Sequence, residues 1–458
     1  MGSSAKESKP LEIVLYPSGI HYYAENIMRQ LLLAAALLAL TPLLHAEDSG
    51  QEPTLSGHIT RINAPRDMEV SGIHILTTTS TRMSVGDSQS RITSDTLTPV
   101  LGQTAHVFGK LDRKHHTLTA AEIWLVTTPS GDNATVSGTA IVDLIPAPTP
   151  ATKPGTVLLR ADGYRILLTP GTALTSTLPD PTLAGIRANT WITYHGIRKP
   201  DGTILADKAS FAPNIIVKGE NKLLDKTDYA PDQVDADAKQ GNLSKFVKGI
   251  DPKQIPPYQD AAMQARIDRI GASLIPAYQR TLQEDDLTKI TFRFQLIDKK
   301  WPDALTLPSG VILVPHQVVD HLQNDSQLAT VLADNIACAL EKQTYRMVPA
   351  TQAMGAANLA GLAGGFFVPG LGLATSLATG GTAATIVRHN REQSGRVSLT
   401  LLHDAGYDIR EAPRTWWLLN AKPGKDIADI TIPARANYLY ETLANVWSDQ
   451  SEPTPHPD

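Results

Sequence analysis

Two stretches of the chain, 55–125 and 135–212, repeat one sequence pattern, and this duplication constrains the fold more than any other feature. Ser56-Gly57-His58-Ile59-Thr60 corresponds to Ser137-Gly138-Thr139-Ala140-Ile141, and AHVFGKLDRKHHTLTAAEI at 105–123 corresponds to WITYHGIRKPDGTILADKA at 191–209. Both longer segments combine alternating strand patterns with a turn. Short Thr- and Val-rich strands in a repeat of about 75–80 residues predict two small all-β barrel or sandwich modules.

The remaining sequence divides around these modules, and the fold class that we predict is α+β. A charged stretch broken by Pro and Gly separates the β modules from a second half with helical periodicity. The predicted boundaries are an N-terminal extension with a signal peptide (1–46), β modules at 47–132 and 133–216, a linker (217–258), a mostly helical domain (259–447) and a disordered tail (448–458).

The charge balance and the cysteine count exclude several classes of protein. Lys and Arg number 41 against 46 Asp and Glu, without a basic stripe. A dedicated nucleic-acid binder needs concentrated positive charge, so no nucleic-acid partner is expected. The single cysteine, Cys338, excludes an intrachain disulfide and a Cys-x-x-Cys metal knuckle.

An apolar run near the N-terminus predicts export. The run at 31–44 follows Met28-Arg29-Gln30 and ends before His45-Ala46-Glu47. A short basic start, about 14 apolar residues and a small residue are typical of a cleaved signal peptide, here 28–46. We therefore expect a periplasmic or secreted protein. The alternative is an uncleaved N-terminal membrane anchor.

The C-terminal half shows an ordered series of elements. Asp260 is a suitable N-cap for a helix with Ile267, Ile270 and Leu274 at helical spacing. ITFRFQLID at 290–298 alternates like a strand and precedes DALTLPSGVILV at 303–314. A second helix is predicted from about Asp325 to Gln343.

This series resembles the gluzincin metallopeptidases of the HtpX, BepA and CAAX prenyl protease type, over roughly 260–445. The segments that match the family pattern are Ile270-Gly271 with Leu274, DALTLPSGVILV, QLATVLA from Gln327, LLHDAGYD from Leu401 and Thr431-Ile432-Pro433. The resemblance implies a zincin-like domain. In that family, two His residues four apart on a helix hold zinc, a Glu between them is the general base, and a Glu on a later helix is the third ligand.

Every one of these functional positions differs in this chain. Asp334 and Cys338 stand at the two His positions, Asn335 at the general base and Arg391 at the third ligand. Glu392 lies one residue from that position and would need a register shift to substitute. An amide cannot accept a proton from water at neutral pH. We therefore predict a pseudopeptidase that binds no cofactor, although its family binds zinc.

Two other interpretations remain open. In the first, the protein is an active peptidase with an unorthodox metal site formed by Asp334 and Cys338 with Glu392 or His389, since carboxylate, thiolate and imidazole all bind zinc. If Cys338 binds no metal, we expect it to be a small buried hydrophobic residue. In the second interpretation, the β modules carry the function and the other half is a scaffold.

The expected partner is a protein or peptide segment, or a protein of the cell envelope. Leu307, Pro308, Ser309, Gly310 and Val311 are predicted to form a peptide-binding strand edge, because an exposed edge offers unpaired backbone groups to an extended chain. The uncharged Gly/Ala-rich segment at 354–387 predicts either a membrane-inserted hairpin or two packed helices. It is the candidate for peripheral membrane contact.

Overall fold

The computed structural model describes residues 52–87, 90–94, 97–127, 134–148, 153–228, 255–346, 381–422 and 426–448. The described residues from Pro53 onward belong to one compact unit. The predicted signal peptide, residues 354–380 and the tail from 449 lie outside the described ranges, so the predictions for them remain predictions. No helix within those ranges is long and apolar enough to cross a membrane.

The first copy of the repeat folds into a β-barrel. Its strands are β1 (Leu55–Ala64), β2 (Asp67–Val70), β3 (Ile73–Leu76), β4 (Arg82–Gly86), β5 (Arg91–Thr93), β6 (Thr104–Asp112) and β7 (Thr117–Val126). The order β3-β2-β1-β6-β7 closes on itself because β3 also pairs with β7. Closure removes free strand edges from this ring of five described strands. β4 continues along β7 beyond β3.

The second copy repeats this topology. It contains β8 (Ala134–Leu144), β9 (Val157–Ala161), β10 (Tyr164–Leu168), β11 (Ala173–Ser176), β12 (Thr190–Arg198) and β13 (Ile204–Pro213). Within the described residues the order is β10-β9-β8-β12-β13, and β10 closes the ring on β13 as β3 does on β7. The predicted duplication is therefore confirmed, and of the two predicted architectures, barrel and sandwich, the structure has the barrel.

The structure refines the alignment of the two copies by one residue. A β-bulge lies before Gly109 in β6 and before Gly196 in β12, so these glycines are equivalent, whereas the ungapped alignment places Gly109 opposite His195. Gly109 pairs with Ala120 and Gly196 with Ala206, so the connection is one residue shorter in the second copy.

Equivalent hairpin turns of the two barrels contact the helical half. Ser71-Gly72 joins β2 to β3 and Asp162-Gly163 joins β9 to β10, and all four residues have positive φ (50° and 77°, 56° and 72°). Two consecutive positive φ angles are typical of the type I′ turn, which suits the right-handed twist of a hairpin. A Cβ on Gly72 would lie 2.8 Å from the Trp417 ring. One on Gly163 would lie 2.6 Å from the backbone of Arg396.

The C-terminal half is mostly helical, as predicted. Its helices are α1 (Lys218–Thr227), α2 (Ala261–Leu274), α3 (Ala277–Thr281), α4 (His316–His321), α5 (Asp325–Leu340), α6 (Gly381–Asp404), α7 (Glu411–Asn420) and α8 (Ala434–Val446). The Asp260 side chain accepts a hydrogen bond from the Met263 amide, which confirms it as the N-cap of α2. Asn324 caps α5 in the same way.

A small sheet accompanies these helices and corrects one prediction. Its strands β14 (Arg293–Ile297), β15 (Leu305–Thr306) and β16 (Val311–Pro315) are ordered β14-β16-β15. The segment that we expected at an edge, Leu307–Val311, forms the turn into β16, and β16 lies buried between its two neighbours. The outer strand on that side is β15. The VILVP sequence of β16 is apolar and buried along its whole length, and burial on both faces favours the centre of the sheet.

Part of the predicted linker is an integral element. Helix α1 begins at Lys218, and its Glu220 carboxylate forms a buried ion pair with Lys342 at 2.7 Å. At its other end, Thr227 accepts a hydrogen bond from the Ser309 hydroxyl through its carbonyl, at 2.7 Å. This part of the predicted linker is thus held to the helical half by an ion pair and a hydrogen bond.

The hydrophobic core has two parts. Barrel 1 (β1–β7) has a core of its own, which includes Ile59, Met68 and Ile123. The core of barrel 2 (β8–β13) is continuous with that of the helices, so that Tyr194 and Leu399 belong to one cluster. Barrel 2 and the helical half therefore share one core.

Candidate functional site

Helices α5 and α6 bring the four degenerate positions together. Asp334 and Cys338 lie one turn apart on α5, and Arg391 lies on the facing α6. With Asn335, they line a cavity of about 60 Å³. This is room for about two water molecules.

Arg435 of α8 supplies a cation to this cavity. Its guanidinium forms an ion pair with the Asp334 carboxylate and a hydrogen bond of 3.1 Å to Asp303. It also lies 3.2 Å from the centre of the Trp416 ring, a cation–π contact. Asp334 accepts a further hydrogen bond from the Ser394 hydroxyl at 2.9 Å. The carboxylate at the first ligand position is thus fully committed to side chains of the protein.

Asn335, at the general-base position, is held as a structural amide. Its Nδ2 donates to the Val331 carbonyl at 2.8 Å, and its Oδ1 accepts from the Thr306 hydroxyl at 2.5 Å. Thr306 belongs to β15, so this amide ties the helix to the outer strand. Both hydrogen-bonding ends of the amide are occupied by protein groups.

Burial shifts the titration of the neighbouring groups. It raises the pKa of Asp303 to about 6, against the opposing effect of Arg435. Burial, reinforced by Asp334, also raises the pKa of the Cys338 thiol, which favours the neutral form over the thiolate that binds metals. Burial and then repulsion by Arg435 lower the pKa of Arg391.

The predicted substitute ligands lie elsewhere. Glu392 lies 3.7 Å from Arg388 on the same helix and does not line the cavity. His389 is exposed and is also absent from the cavity lining. The spacing of α6 places these two side chains on other faces than Arg391, since neighbouring residues of a helix differ by about 100°.

The donor set does not suit a zinc ion. Two guanidinium groups, Arg391 and Arg435, line the cavity beside the carboxylates of Asp303 and Asp334, and Arg435 already pairs with both carboxylates. Asp334 is engaged by one of them, and Cys338 favours its neutral form. In the described part of the chain, no three His, Cys, Asp or Glu side chains are grouped so that they could hold a metal ion.

Two residues of the site had no role in the sequence reasoning. Asp303 begins the DALTLPSG segment and Arg435 follows the Thr431-Ile432-Pro433 match, so both stood beside recognised motifs. Their contact joins positions 132 residues apart. A buried pair of this kind is visible only once the chain path is known.

A larger groove adjoins the cavity. It has a volume of about 430 Å³ and lies between α1, the segment 287–293, the β15–β16 turn and the end of α5. Thr306, Cys338 and Thr344 line both the groove and the cavity. The groove is therefore continuous with the site through these shared residues.

The comparisons with known proteins bear on barrel 1. Residues 56–123 match the family described as a domain of unknown function, DUF5666. The match covers the part of the chain in which β1 to β7 form the first barrel. No curated protein matches the chain.

Proposed function

We propose that this chain is a non-catalytic relative of zinc metallopeptidases that acts by binding a protein segment. The observation that carries the proposal is the guanidinium of Arg435, which pairs with Asp334 and Asp303. A cation of the protein itself thus neutralises the carboxylate that stands at the first ligand position. Displacing it would leave buried charges without partners, at a cost of about 3–5 kcal/mol for a pair of this kind.

The groups around the cavity offer no agent for hydrolysis by the family's route. A general base must accept a proton from water, and the Asn335 amide does not do so at neutral pH. The amide is also bonded at both ends, to Val331 and Thr306. The proposal therefore assigns Asn335 to the support of β15.

Binding is supported by the groove beside the cavity. Its apolar lining includes Ile216, Leu287 and Pro308, and Leu287 is 75% exposed. The outer strand β15 pairs through Leu305 and Thr306 with β16 and borders this groove through Thr306. An apolar groove beside a strand edge suits an extended polypeptide, which gains backbone hydrogen bonds and side-chain burial together.

The test is the metal content and the proteolytic activity of the purified mature protein. We expect well below one zinc per chain after incubation with zinc and desalting, and no chelator-sensitive cleavage of unfolded casein. The comparison variant carries Asp334→His, Asn335→Glu, Cys338→His and Arg391→Glu. We expect it to retain zinc only when Arg435→Ala is added, because the guanidinium otherwise repels the ion.

The opposite result identifies the alternative. One tightly held zinc per unmodified chain, with casein cleavage abolished by a chelator, would show an active peptidase that uses Asp334 and Cys338. Zinc uptake by the four-residue variant with Arg435 intact would remove the role assigned to this arginine. Thermal unfolding of each variant checks that it is folded.

A further inference from the structure

We infer that the groove and the cavity together form a binding site for the C-terminal end of a polypeptide, with Arg391 as the group that receives the terminal carboxylate. This inference rests on the proposed function and adds the chemical class of the bound segment. It depends on three features of the site: the Arg391 guanidinium has no bonded acceptor in the described residues, the cavity is small, and the groove has an apolar lining.

Arg391 is a guanidinium without a bonded acceptor. It lines the cavity, and no hydrogen bond or ion pair joins its side chain to any group in the described residues. Its neighbours Asp303 and Asp334 are both bonded to Arg435 instead. The planar fork of a guanidinium matches a carboxylate through two parallel N–H···O bonds, so a carboxylate is the ligand that would satisfy it best.

The size of the cavity selects the end of a chain. About 60 Å³ accommodates a carboxylate group but not a polypeptide that passes through. Its lining includes the buried Asp334, Asn335 and Ser394. We therefore expect a segment that reaches Arg391 along the groove to end there.

The groove outside the cavity has an apolar lining. Leu287 lines the groove and is 75% exposed. Ile216, Leu223, Ile290 and Pro308 add apolar surface to the same lining. Apolar side chains of the bound segment would cover this lining, so the expected ligand is a segment that is apolar and ends in a free carboxylate.

The experiment compares three pools of fluorescent octapeptides of random Leu, Val and Ala sequence by their anisotropy with the full mature chain. The first pool ends in a free carboxylate, the second in an amide, and the third in an amide with Glu as the last residue. We expect the first pool to bind at least about tenfold more tightly than the other two, since charge-assisted hydrogen bonds exceed neutral ones. The third pool separates a terminal carboxylate from an acidic side chain.

Two variants locate the effect. Arg391→Gln removes the charge and should abolish the preference for the free acid. Arg388→Gln, one turn away on α6, removes an arginine whose side chain is 73% exposed and should leave the preference unchanged. Thermal unfolding of each variant checks that it is folded.

Each of the other outcomes contradicts a different part of the inference. Equal binding of the first two pools rejects the carboxylate site and leaves the proposed function standing. Tight binding of the third pool rejects the terminal carboxylate in favour of an acidic side chain. A preference that survives in Arg391→Gln rejects the role of Arg391, and binding of none of the pools counts against both the inference and the proposed function.

Discussion

At the scale of single residues, buried ion pairs in this protein join elements that are distant in sequence. Arg396 of α6 donates to the Asp162 carbonyl at 3.0 Å and to its carboxylate at 2.5 Å, and the same carboxylate accepts from Tyr194. Arg435 is shared in a similar way between Asp303 and Asp334. Buried ion pairs of this kind contribute little net stability but are costly to break, so they fix which elements lie together.

Asp303 gives a prediction at this scale. Its pKa of about 6 lies above the unfolded value of 3.8, so the folded state binds more protons between these two values. Stability should therefore fall as the pH rises from about 4 to 6, by an amount on the order of 3 kcal/mol. Asp303→Asn should remove this component, measured as the difference in urea unfolding free energy between pH 4 and pH 7.

The control for this measurement is Asp285→Asn, at an exposed position of the segment that precedes β14. Its pH dependence should match that of the unmodified protein. An unchanged difference between pH 4 and pH 7 in Asp303→Asn would show that this carboxyl ionises as freely in the folded chain as in the unfolded one.

At the scale of elements, the two barrels use equivalent corners to contact the helices. Besides the hairpin turns, Gly102 and Asn189 are equivalent residues with positive φ, and each contacts the helical half. A Cβ on Gly102 would meet the Tyr440 carbonyl, and the Asn189 amide donates to Thr288 at 2.7 Å. The duplication therefore supplies two copies of one docking end, with different side chains at each contact.

Gly163 tests this docking. In Gly163→Ala the new methyl would have φ near 72° and lie 2.6 Å from the Arg396 backbone, so strain and overlap add. We expect a loss of about 3 kcal/mol in unfolding free energy. Gly171→Ala is the control, since its nearest atom would be 3.6 Å away and its φ carries no comparable strain. A loss below about 1 kcal/mol for Gly163→Ala would contradict the tight contact.

At the scale of the whole molecule, barrel 1 and barrel 2 have different relations to the rest. Barrel 1 closes its own core and contacts the helices through turns and a few polar pairs, such as His116 with Asp429 at 3.0 Å. Barrel 2 shares a continuous core with the helices, and the Glu341 carboxylate accepts from the Ile141 amide across that boundary at 3.2 Å. The boundaries of the sequence repeat therefore do not coincide with the boundaries of the two hydrophobic cores.

Truncation tests whether barrel 1 has a separate core and whether barrel 2 shares its core with the helices. A chain that begins at Ala134 should keep a cooperative thermal transition in circular dichroism, because its core remains complete. A chain in which 134–213 are deleted should aggregate, since it exposes the apolar face that barrel 2 covers. A soluble, cooperatively unfolding product of the second deletion would show that the helical half folds alone.

The sequence by itself determined the features that arise from local hydrogen bonds and periodicity. The duplicated β modules, the α+β class and the Asp260 cap are of this kind, because turns, alternation and caps depend on residues close in sequence. It also singled out Asp334, Cys338 and Arg391, which the structure places around one cavity. Their roles in binding and the zincin-like relationship remain proposals.

Only the tertiary structure decided what those residues contact. The pairing of Arg435 with Asp303 and Asp334, the central position of β16 and the shared core of barrel 2 and the helices all join distant parts of the chain. Such contacts depend on how the chain folds back on itself, and no local pattern encodes them. The cavity thus contains an arginine where the family resemblance alone implied only lost ligands, because α8 brings a cation to two carboxylates that burial would otherwise leave unpaired.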